Sequence, residues 1–112
     1  MKKWTMFTAA LVFSTGLVWA ADQKVATKKY EVVDVACYVN KGASGADHKA
    51  CAVKCISGGG ELALLRNGDL FVPVDKDFKP ARAKFVSKAG EEVDVKGKVI
   101  SKGGVNYLQI AE

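Results

Sequence analysis

The chain has 112 residues, 26% of them charged and 49% hydrophobic, with a formal net charge of +5. This length admits one small domain and excludes a multidomain enzyme. The basic excess is mild and spread along the sequence, without a clustered set of aromatic and arginine residues, which sets nucleic acid aside as a partner.

The first residues read as a signal peptide. Lys2 and Lys3 precede an apolar run over residues 6–18, and Val18 and Ala20 supply the small-residue pattern of a cleavage site between Ala20 and Ala21. The run is shorter than the ~20 apolar residues of a spanning helix, so no membrane span is expected after cleavage and the product is expected to be periplasmic or secreted. Without residues 1–20 the chain keeps 15 basic residues (17 less Lys2 and Lys3) against 12 acidic ones and loses both tryptophans and both methionines. The remaining domain, of about 90 residues, buries a thin core, and domains of that size gain from a disulfide or a metal. Three cysteines are present. In an oxidising compartment an odd count leaves a free thiol, an intermolecular bridge or a set of thiolates around a metal.

Residues 21–27 are polar and short-chained and read as a flexible leader, with one domain expected over 28–112. Residues 28–39, KKYEVVDVACYV, suit a strand with Cys37 close to its end. Residues 40–47 are turn chemistry, after which Ser44 or Asp47 is placed to cap a short helix through HKACAVKCI that the glycines at 58–60 end. Leu62, Leu64 and Leu65, then Asn67-Gly68, then Leu70, Phe71, Val72 and Val74 spell a β-hairpin, with Pro73 pointing to an edge or a bulge. Over residues 75–90 the spacing of Phe78, Ala81 and Phe85 predicts a helical face. Val93, Val95 and Val99, then Val105 and Tyr107, predict a second hairpin with a bend at Gly97. The fold expected is mainly β with short helices: a five-stranded OB-like barrel with a Cys/His-bearing helix inserted between strands 1 and 2, an open α+β sheet being the alternative.

HKACAVKC carries the one histidine and two of the three cysteines. At ~100° per residue, positions 48, 51 and 55 fall on one helical face, and Cys37 can fold back over it across the glycine-containing loop. Three thiolates and an imidazole match the composition of a closed Cys3His zinc site, which makes Cys37, His48, Cys51 and Cys55 the candidate metal ligands. The geometry strains that set. Positions i and i+7 are about 10 Å apart along an ideal axis, whereas metal–ligand bonds are about 2.0–2.3 Å, so His48 must lean toward Cys51. Three other readings stay open: a staple from Cys37 to Cys51 or Cys55, a reversible Cys51/Cys55 thiol pair, and three buried cysteines that serve only as small apolar residues. The sequence has no HExxH, no phosphate-cradling glycine loop before a helix and no CxxCH, so nothing else in it points to catalysis.

Residues 36–74, with their Cys-Tyr pair, glycine-containing loop, His-x-x-Cys-Ala-x-x-Cys, Leu-Leu strand and Asn-Gly hairpin, resemble a family of small exported bacterial domains, and residues 91–110 resemble its closing hairpin. The chain departs from the family at Ser57, Gly58, Gly59, Gly60 and Glu61, where a small residue and a proline are expected. The resemblance implies an OB-like barrel and a site at Cys37, His48, Cys51 and Cys55. It also implies an association with accessory proteins of periplasmic respiratory enzymes, including those of cytochrome c nitrite reductase formation. The function expected is therefore a non-enzymatic, periplasmic domain binding one zinc or copper ion, with a respiratory or cytochrome-assembly protein as partner. A thiol-disulfide exchange factor and a disulfide-stapled protein-binding barrel are the alternatives.

Overall fold

The structure, a computed structural model, describes residues 24–111. The expected signal peptide therefore lies outside the described residues. Five strands close into a barrel: β1 (Ala26–Asp34), β2 (Leu62–Arg66), β3 (Asp69–Val74), β4 (Glu92–Lys102) and β5 (Val105–Ile110), joined in the order β1-β2-β3-β5-β4 and back to β1. Four of the pairings are antiparallel, and β3 runs parallel to β5. This is the OB-like barrel expected from the sequence, with α1 (Val35–Lys41) and α2 (Lys49–Ser57) between the first two strands. The barrel begins before residue 28: Ala26 and Thr27, assigned from sequence to the leader, pair with Gly97 and Lys96.

Turn chemistry sets the register. Asn67 and Gly68 both have positive φ (51° and 81°), the conformation a two-residue hairpin turn needs, and they align Leu64 with Phe71 and Arg66 with Asp69. That ladder ends at Phe71, so the missing N–H of Pro73 breaks none of its bonds. Gly97 is the residue at which β4 passes from β1 to β5, paired with Ala26 on one side and Ile110 on the other. A Cβ there would sit 2.7 Å from the Gln109 carbonyl oxygen, so the crossing of three strands requires glycine.

The core is Tyr30, Val32, Leu62, Leu64, Phe71, Val95 and Leu108 inside the barrel, with Ala52 and Ile56 of α2 and Phe85 and Ala89 of the β3–β4 connection packed against it. α2 is thus held by two buried side chains, whereas α1 has none. Tyr30 meets Phe71 edge-on at 5.5 Å, a favoured aromatic geometry.

Two elements differ from the sequence reading. The strand expected over residues 28–39 stops at Asp34, whose side chain caps a helix in place of continuing the ladder. The helix expected over 75–90 is two short 3-10 turns, Arg82–Lys84 and Val86–Lys88. Asp75 Oδ1 accepts the N–H groups of Asp77 (2.8 Å) and Lys79 (2.9 Å), Phe78 takes φ 60°, and Pro80 follows, so the segment turns before it can coil. Ala81 and Phe85 are buried as their spacing implies, but Phe78 is exposed, its ring edge-on to Tyr107.

Leu64 is fully buried at the centre of the core. Leu64→Ala is expected to lower unfolding stability by about 2–5 kcal/mol in urea titrations; a loss under about 1 kcal/mol would contradict this core.

Candidate metal centre

The site is an excursion from the barrel, residues 35–61, whose two ends are pinned together. Asp34 pairs with Leu62, and the Val35 N–H donates to the Glu61 carbonyl at 2.9 Å. Asp34, only 3% exposed, is the N-cap of α1, its Oδ2 accepting the Cys37 N–H at 3.0 Å. Gly42 closes α1 in the left-handed conformation (φ 63°), its N–H donating to the Tyr38 carbonyl at 2.8 Å. The loop is then tied to the barrel by Glu31, whose Oε2 accepts the Gly45 N–H at 2.7 Å.

α2 is fixed at both ends. Near its start, Gly90 approaches so closely that a Cβ would lie 2.7 Å from the Lys49 Cα. At its far end, Arg82 Nη2 donates to the carbonyls of Ile56, in the last helical turn (3.0 Å), and of Gly60, just beyond it (2.6 Å), placing a cation at the negative end of the helix. Arg82 carried no signal in the sequence, because its partners are backbone atoms more than 20 residues away.

These supports bring three thiols together. The Sγ atoms of Cys37, Cys51 and Cys55 all lie within 4.8 Å of one another, and Cys37 Sγ is 3.5 Å from Cys51 Sγ. Cys51 is exposed, while Cys37 and Cys55 are half-buried. Three sulfurs at ~2.3 Å from one ion would stand roughly 3.8–4.0 Å apart, so the group can close on a single cation by small rotations. Cys51 and Cys55 lie one turn apart on α2, as their spacing implies. Cys37 comes from α1, not from a strand end. His48 is not brought into the group. It is exposed, at the end of a 3-10 turn (Ala46–His48) that precedes α2, so the 100° rotation per residue used to align it with Cys51 and Cys55 does not hold across that junction.

The electrostatics of the cluster centre on Cys37. The Asp34 carboxylate beside its thiol, then the Cys51 thiol and desolvation, push its pKa up to about 12. Glycine at position 60 is required by the same packing, since a Cβ there would come within 2.7 Å of both Asp34 Oδ1 and the Cys55 carbonyl oxygen.

The fold and the thiol cluster together define the class: an OB-like barrel with three cysteines able to hold a metal ion on the excursion between its first two strands. Comparison of the chain with protein-family models, with characterised proteins and with solved structures gave no match.

A thiol reacts as its thiolate, so a raised pKa slows alkylation of metal-free Cys37 at pH 8 and makes its rate climb with pH toward about 12. Asp34→Asn keeps an N-capping side chain and removes the carboxylate charge. Iodoacetamide labelling of the tryptic peptide 30–41, read by mass spectrometry, is expected to accelerate in that variant; an unchanged rate would contradict the role given to Asp34.

Proposed function

We propose that this protein is an exported, non-enzymatic metal-binding domain that holds one thiophilic cation between Cys37, Cys51 and Cys55. The observation that carries this reading is the convergence of the three Sγ atoms within 4.8 Å, from two helices that no other interaction joins side chain to side chain among the described hydrogen bonds. Soft thiolates select copper(I) and zinc among the common metals. A structural zinc site is closed by four ligands, whereas here three sulfurs converge and Cys51 is exposed. Copper(I), which three sulfurs satisfy, is the better fit, and zinc is the alternative. The open side also suits a cation that is handed on. Export is supported by the N-terminal sequence, and the resemblance to small exported domains supports an accessory role toward a periplasmic respiratory or cytochrome-assembly enzyme. Among the described residues no helix is long and apolar enough to cross a membrane.

The test is the metal content of protein expressed from the full coding sequence and purified without chelator. Native mass spectrometry and elemental analysis are expected to give one ion per chain, and the intact mass to begin at Ala21. Cys37→Ser, Cys51→Ser and Cys55→Ser are each expected to weaken binding at least about tenfold in competition with a copper(I) chelator, while His48→Ala leaves the stoichiometry unchanged. Equal metal content in the wild type and the triple serine variant would overturn the proposal. Loss of the ion in His48→Ala would restore the four-ligand set expected from the sequence.

A further inference from the structure

The thiols are not equivalent as partners for one another. Cys37 Sγ and Cys51 Sγ stand 3.5 Å apart, a hydrogen-bonding contact that must shorten to about 2.05 Å to become a disulfide. The movement required falls on α1, which has no buried residue, while α2 is anchored by Ala52 and Ile56. A bond between Cys51 and Cys55 would instead have to form within one turn of that anchored helix. Cys51 is also the exposed member of the group, so a bulky oxidant reaches it first.

We propose that Cys37 and Cys51 are an oxidation site: exchange with a disulfide, whether on a small molecule or on a protein, joins these two cysteines, and the joined form cannot hold the cation. The second half rests on the metal-binding reading above; the first does not. The thiolate of Cys51 attacks one sulfur of the incoming disulfide RS–SR, forming Cys51–S–SR and releasing one RS⁻. The Cys37 thiol gives its proton to solvent and attacks Cys51 Sγ, forming the Cys37–Cys51 bond and releasing the second RS⁻. Two cysteine thiols are oxidised, one RS–SR is reduced to two thiols, and Cys55 is left as the free thiol. The joined sulfurs no longer offer thiolates, so one thiolate remains where three would hold the metal.

The sequence makes the pairing directly readable. Trypsin places Cys37 in peptide 30–41, Cys51 in 50–54 and Cys55 in 55–66, so every possible bridge has its own mass. The experiment treats the purified, reduced, metal-free protein with oxidised glutathione, blocks remaining thiols with iodoacetamide, and digests it without reductant. The expected product is 30–41 joined to 50–54, with Cys55 alkylated, and the same bridge in Cys55→Ser. A bridge that includes 55–66 as the main product, or a glutathione adduct that never resolves, would overturn the pairing. Copper(I) is then offered to the reduced and the oxidised protein. Binding by the reduced form alone, restored to the oxidised form by dithiothreitol, supports the exclusion, and full binding by the oxidised form overturns it. Failure of the reduced form to bind copper(I) would count against the metal reading while leaving the mapped bridge to stand or fall by itself.

Discussion

Asp34 stands where the last pairing of β1, opposite Leu62, meets the first turn of α1, and its buried carboxylate takes the Cys37 N–H at 3.0 Å. A carboxyl group at 3% exposure is tolerated only with a hydrogen-bond partner, and here the partner is the first turn of a helix, at the residue whose thiol joins the cluster. That arrangement turns the chain out of the barrel at a fixed angle and delivers Cys37 to α2. Gly60, pressed against the same carboxylate from the loop that leads back to β2, leaves no space for a side chain. Cys37 is therefore attached to the barrel through one capped helix end and one close glycine contact, not through a hydrophobic seat under α1.

The two helices are held in unlike ways, and their chemistry follows from the difference. α2 is clamped by Ala52 and Ile56 beneath it and by the Arg82 guanidinium at its C-terminal end, so Cys51 and Cys55 form a rigid pair one turn apart. α1 rests on its caps, so Cys37 is the adjustable third donor. A rigid pair with one adjustable sulfur can close on an ion, and it can also close on itself. The proposed metal binding and the proposed disulfide would draw on the same atoms, which would link occupancy of the site to the redox state of its surroundings.

The barrel was legible because its signals are local. Asn67-Gly68 fixes one hairpin by backbone conformation, and the alternation through β4 and β5 spells the other. Gly97 was visible as an interruption, and the structure supplies the reason, a crossing where Cβ has no space. α1 was not legible: Val35 and Val39 have strand propensity, and the Asp34 cap that overrides them sits beside Gly60, a contact across the whole excursion that no local pattern reveals. The 75–90 segment misled in the opposite direction, since the spacing of Phe78, Ala81 and Phe85 is helical while Asp75 and Pro80 impose turns. Within the site, the i, i+4 relation of Cys51 and Cys55 could be read from spacing. The position of His48 outside the thiol group could not, because spacing alone does not reveal the 3-10 turn that ends there.

The central claim is that sulfur alone, from three cysteines, surrounds the bound cation. X-ray absorption at the metal edge of the copper(I)-loaded protein measures this directly. The account predicts three sulfur scatterers at about 2.3 Å and no imidazole signature. An imidazole in the first coordination sphere, or only two sulfurs, would contradict it.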